Sequence, residues 1–336
     1  MRPRLPCPLL VLALGLTPLL SATPARGERI EIASKTIPLN PNDLEQDKVG
    51  RLRYRGGLTL TSSHPRFGGL SSLRLSEEGG RVTFVSDEGS WLIARLVHDD
   101  RGHLLGLAET ELGILKDLEG RPLLDKLKAD AESLVRLSDG SLVVGFEHEH
   151  RLWRYEAPNG RPDGTPTVVA PPADLDKAPA NGGIEALVAQ EQGGLLALTE
   201  YWIVDDTVRG WTHGPERWQP LGYLFAGAYR PSDMARLPSG DMVVLERAYN
   251  PDRGIVGVRL RRVSRKSVKA GAKLESRLIA ELAPPLSIDN FEGIDAVRAK
   301  NGETLIYIVS DNNFRTGDQR TLLLMFSLDE GSGLEL

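Results

Sequence analysis

Apolar and polar positions alternate along this chain as short apolar runs broken by glycine turns. Runs 70–75 and 82–85 flank Gly79-Gly80, and runs 134–137 and 142–144 flank Asp139-Gly140. Gln192-Gly193-Gly194, Ser239-Gly240 and Asn301-Gly302 stand at the same place in three later copies. Glycine-containing turns between apolar runs predict β-hairpins, because a tight reversal needs backbone conformations that glycine adopts without a steric clash. A third strand is expected at 91–97, 152–155, 255–263 and 322–328, and a fourth at 104–107, 167–170, 222–225 and 278–282. Four short antiparallel strands, repeated, predict an all-β propeller. Five copies predict five blades, or six if the N-terminal segment supplies more than one strand. The strand-like stretch 51–61 is expected to pair with 322–328 and close the ring, which hides its edges. A short helix is allowed within 112–131, and 171–179 reads as an extended loop.

An acidic pair brackets each hairpin. Its first member is Glu132, Glu185, Asp233 or Glu292, with Ser71 in the first copy; its second is Asp87, Glu147, Glu200, Glu246 or Asp311. The copies start 61, 53, 48 and 59 residues apart, the period of an array built from one supersecondary unit. The start of one hairpin strand lies beside the end of the other, so all five pairs are expected at one mouth of the central channel.

The N-terminus changes the domain reading. Arg2 and Arg4 precede the apolar stretch 9–20, followed by small residues at Ala22, Ala25 and Gly27. This describes a secretory signal peptide over 1–27, cut after one of those three, with the propeller over 28–336. Twelve apolar residues are short for a membrane span, so the mature chain is expected to have no transmembrane segment and to be periplasmic or secreted. Its only cysteine, Cys7, leaves with the signal, which excludes disulfides and thiol chemistry. The signal carries Arg2, Arg4 and Arg26 and no acid, so mature net charge is 38 minus 46, or −8. That balance argues against nucleic-acid binding. Between Gly257 and Arg277 eight Lys or Arg face one acid, an exposed strand face followed by a basic loop, or a surface for anionic envelope polymers.

Nine carboxylates in one narrow channel must be offset by protons or by cations. Oxygen ligands without thiols favour calcium or magnesium. The candidate metal ligands are Asp87, Glu132, Glu185 and Glu292, with Asp233, Glu200, Glu246, Asp311, Asn181 and Asn290 also at the mouth. Glu147, His148, His150, Arg151 and Arg247 are candidates for acid–base work or anion contact. The competing explanation is architectural: the acids cap backbone N–H groups where blades meet. No Gly-x-Ser-x-Gly elbow and no phosphate-binding Gly-Lys-Ser/Thr loop occurs.

Several local sequences together resemble the phytase-like domain of secreted bacterial proteins described as having esterase-like activity. They include Phe67-Gly68-Gly69-Leu70-Ser71, Val85-Ser86-Asp87-Glu88-Gly89 and Asp130-Ala131-Glu132-Ser133-Leu134. Gly145 to Arg151, Asn181 to Leu187, Pro231-Ser232-Asp233, Leu245-Glu246-Arg247, Asn290 to Gly293 and Ser310 to Phe314 complete the match. The resemblance implies metal-dependent hydrolysis of a small anionic or phosphorylated substrate. A propeller that binds a ligand or envelope partner without catalysis, and a carboxyl-ester or lactone hydrolase, are the alternatives.

Overall fold

The computed structural model describes residues 27–331 apart from 192, 215, 216, 251, 253 and 316. The signal-peptide reading of 1–27 therefore lies, except for Gly27, outside the described residues. Five antiparallel sheets form a ring, a five-bladed β-propeller rather than a six-bladed one. Blade 1 runs from the channel outward as Leu70–Leu75, Arg81–Ser86, Ser90–His98 and Leu104–Ile114, with Glu28–Arg29 at its rim. Blade 2 is Ala131–Arg136, Leu142–Phe146, Arg151–Tyr155 and Thr167–Val169. Blade 3 is Ile184–Ala189, Leu195–Val204, Thr207–His213 and Trp218–Leu224, with Lys273–Leu274 added in parallel. Blade 4 is Tyr229–Arg236, Met242–Asn250, Gly254–Val263 and Arg277–Leu282.

Blade 5 joins the two ends of the chain. Asn290–Arg298, Thr304–Asp311 and Thr321–Leu328 are completed by Leu52–Thr61, which pairs antiparallel with register Thr321↔Leu60 through Leu328↔Leu52. Ala33–Thr36 covers the far edge of Leu52–Thr61. The N-terminal contribution is thus one full strand and two short ones on the same sheet, which is why no sixth blade forms. Only one turn of helix, Lys126–Ala129, occupies the segment expected to hold one.

Five apolar clusters lie one between each pair of successive blades. Phe84, Tyr307 and Leu323 pack blade 1 on blade 5, and Leu134, Trp91 and Phe146 pack blade 1 on blade 2. Trp211 and Val143, Tyr223 and Val244, and Leu260 with Phe326 fill the remaining three. Each fully buried Leu, Val, Ile or Phe contributes roughly 1.5–3 kcal/mol, so the blades depend on each other for their cores. Half of the eight basic residues after Gly257 are committed to ion pairs: Arg259 with Glu281, Arg262 with Asp241, Arg265 with Glu191 and Lys273 with Asp206. No described helix is long and apolar enough to cross a membrane.

Candidate functional site

The innermost strand of every blade carries a β-bulge at the same height. The unpaired residue is Ser71, Glu132, Glu185, Ser232 and Glu292 in blades 1 to 5. A bulge re-aims one side chain out of the pleat, here into the channel mouth. Beside it, one place beyond the second-strand partner of the residue before the bulge, sit Asp87, Glu147, Glu200, Arg247 and Asp311. These ten residues, with Asp130 in front of the second inner strand, form a crown.

Blade 4 departs from the sequence expectation by one residue. Asp233 pairs with Leu245 and Glu246 with Pro231, so Ser232 and Arg247 take the two crown places. A one-residue slip turns a side chain to the other face of a strand. Glu246 accordingly points between blades and accepts from Tyr223 Oη at 2.7 Å. Asp233 lies deeper, where Arg74 meets it through both guanidinium nitrogens at 2.9 Å. Ser72 Oγ and the Ile294 and Met234 amides also donate to Asp233. Arg74 reaches the carbonyls of Leu187, Met234 and Ile294 on three other blades, so its guanidinium plugs the channel below the crown. Arg74 was not singled out in the sequence, although it is the lone charge in an otherwise uncharged inner strand.

Among the described residues, two cations form ion pairs with the eight crown carboxylates. Arg247 bridges Glu200 and Glu292, each at 3.1 Å. Lys126, set by the one-turn helix that Asp125 caps, donates to Asp87 Oδ2 at 2.8 Å and Asp130 Oδ1 at 2.6 Å. The other Asp130 oxygen lies 2.9 Å from His148 Nε2. The rest of the crown is crowded with like charge. Burial, then Asp130, Glu147 and Asp87, hold the Glu132 carboxyl well above its ordinary range. Burial, then Glu147, Glu132 and Glu200, do the same to Glu185. Glu292 is pushed up to about 8 by burial against the pull of Arg247, and Asp311 to about 7 by burial and Asp87. Asp87 is raised mainly by burial, with Lys126 opposing, and its Oδ1 is buried with no hydrogen-bond partner.

Asp130, Glu132 and Glu147 each bring one oxygen within 4.8 Å of the others. An oxygen-only cluster with an orphaned carboxylate oxygen nearby fits a hard divalent cation. Of the four sequence candidates, Glu132 is in this set, while Asp87, Glu185 and Glu292 lie around the same crown. Glu147 belongs to the set and also accepts from the Gly183 amide at 2.5 Å. Asn290 donates to Glu292 at 2.7 Å, and Asn181 is exposed on the loop above Gly183.

Residues 147–150 form a turn although Glu-His-Glu-His alternates as a strand would, and His148 is left-handed with φ 55°. His148 consequently turns to Asp130, whereas His150 reaches the Pro179 carbonyl at 3.0 Å. Arg151 stacks 4.1 Å over Phe146 and 4.3 Å over Trp153, away from the crown. Lys126, which completes the crown with Asp130, shows in the sequence only as the i, i+4 partner of that acid ahead of the second hairpin.

A closed propeller with one acidic channel mouth over a plugged channel is the class of protein that fold and site define. The chain belongs to the phytase-like family, described as having the esterase-like activity of phytase, whose profile matches residues 65–314. No curated protein matches the sequence significantly. Among solved structures the chain is similar to an endo-arabinase from Bacteroides thetaiotaomicron, with 11% identity, 80% of this chain and 97% of that one covered, and TM-score 0.47. A protein of unknown function from Dyadobacter fermentans shows 13% identity, 84% and 86% coverage and TM-score 0.45. The Dos1 propeller shows 12% identity, 79% and 60% coverage and TM-score 0.36.

Proposed function

We propose that this protein is an exported hydrolase of phosphoesters that works at the crown with calcium or magnesium. The observation that carries the reading is charge: eight buried or half-buried carboxylates stand against Lys126 and Arg247, an excess that burial makes costly unless a cation enters. Asp130, Glu132 and Glu147 would hold that cation. When bound, a divalent ion gives an anionic ester a positive contact and lowers the pKa of a coordinated water. The chain's own groups do the rest. Arg247, pinned by Glu200 and Glu292, keeps further N–H donors for an ester oxygen. Glu292 and Asp311, titrating near neutral, suit a group that hands a proton to the leaving alcohol. The Arg74–Asp233 plug closes the floor, so substrate must enter and leave by the mouth.

The test is phosphate release from p-nitrophenyl phosphate and glycerol phosphate, in calcium and in chelator, with carboxyl esters and lactones run beside them. Release that needs the metal, and falls about a hundredfold in Glu132→Gln, supports the reading. Release that survives chelation contradicts the metal requirement. Cleavage of carboxyl esters or lactones alone replaces the phosphoester substrate, and no cleavage of any ester leaves a binding protein.

A further inference from the structure

Beside the acidic crown stands an aromatic ledge that the chemistry above leaves unused. Phe314 follows Asp311 by three residues and is 37% exposed, a large apolar ring at the lip of a highly charged mouth. Its backbone is left-handed with φ 51°, and so is that of Asn313 with φ 47°. Two successive non-glycine residues in that region are disfavoured, and a bulky aromatic there is an outlier that surrounding structure must hold in place. The loop supplies those holds. Asp311 Oδ1 accepts from the Asn313 amide at 2.7 Å, and Asn312 Oδ1 accepts from the amides of Phe314 and Gly69. Asn313 Nδ2 donates to Gln319 at 2.9 Å.

The seat of the ring is cut to fit. A Cβ on Gly68 would lie 3.0 Å from the Phe314 ring, and one on Gly69 would lie 2.7 Å from the ring and 1.9 Å from Asp87 Oδ1. Both glycines have φ values that other residues rarely adopt, +150° and +61°. One face of Phe314 therefore rests on bare backbone next to Asp87. Tyr201, next to Glu200 in blade 3, is a second exposed ring beside the crown, at 41% exposure. Meanwhile both crown cations are already paired with carboxylates, and only the remaining N–H donors of Arg247 are left for an anion. A polyphosphorylated sugar would ask for many free cations.

We propose that Phe314 is the specificity-determining subsite for an aromatic or otherwise planar apolar group on a singly phosphorylated ester. The inference rests on the crown as the substrate site, yet its test does not need turnover. Phenylphosphonate and methylphosphonate carry the same anion and cannot be hydrolysed as esters. Their binding to the calcium-loaded protein is measured by calorimetry for wild type, Phe314→Ala and Phe314→Tyr, with melting temperatures as a folding check. Wild type should bind phenylphosphonate about tenfold more tightly, the yield expected of one aromatic contact with its buried area. Phe314→Ala should bring that ratio within about twofold, and Phe314→Tyr should restore it. Equal binding in wild type, a preference that survives in Phe314→Ala, or binding of neither compound overturns the subsite. Selective binding without phosphate release from any ester would keep the subsite and remove the hydrolase.

Discussion

At the scale of single residues, the molecule turns on two arginines that sit where the repeat would otherwise place something else. Arg247 occupies a crown position that is acidic in the other four blades, and it ties blade 3 to blade 5. Arg74 enters the channel from blade 1 and meets Asp233, both almost wholly buried. Breaking a buried ion pair from one side leaves the other charge uncompensated, which costs about 3–5 kcal/mol. Arg74→Met should therefore lose about that much in denaturant unfolding, and Arg74→Met with Asp233→Asn should recover part of it. A loss below about 1 kcal/mol for the single change would show that the plug does not hold the ring. These contacts were not readable in the sequence, because an arginine inside an uncharged strand says nothing of which distant strands face it.

At the scale of elements, the hairpins were legible and the register of one was not. Apolar runs and glycine turns placed the hairpin of every blade and missed the third strand of blade 3, Thr207–His213, while the closing strand 51–61 found its partner at 322–328. In blade 4 an acid stands next to each crown place, Asp233 beside Ser232 and Glu246 beside Arg247, so acidity alone chose the wrong face. The turn at 147–150 was hidden for a similar reason: Glu-His-Glu-His alternates like a strand, and only the left-handed His148 breaks it. Closure by Leu52–Thr61 covers the edge of Thr321–Leu328, whose eight residues are all buried. A chain starting after Thr61 should leave that edge open and apolar, and should be recovered as aggregate. A soluble monomer with native-like circular dichroism would contradict the closure.

At the scale of the whole molecule, the crown couples stability to pH and, on the proposed function, to cations. The folded protein holds protons on Glu292 up to about pH 8 and on Asp311 up to about pH 7, against ordinary values of 4.5 and 3.8. Because the folded state binds these protons more tightly than the unfolded chain, their contribution is complete below about pH 4 and is lost as pH rises through 7 and 8. A cation held by Asp130, Glu132 and Glu147 would relieve the like-charge repulsion around the crown and should offset that loss, by about 2.7 kcal/mol at a hundredfold excess over its dissociation constant. The crown as a divalent-cation site is the claim on which the rest depends. Its most direct measurement is the melting temperature from pH 5 to 9, in chelator and in calcium, for wild type and Glu132→Gln. The account expects the chelated protein to melt progressively lower as pH rises, calcium to raise the wild-type curve by several degrees above pH 7, and Glu132→Gln to lose most of that gain. Superimposable curves in calcium and chelator across the whole range would contradict it.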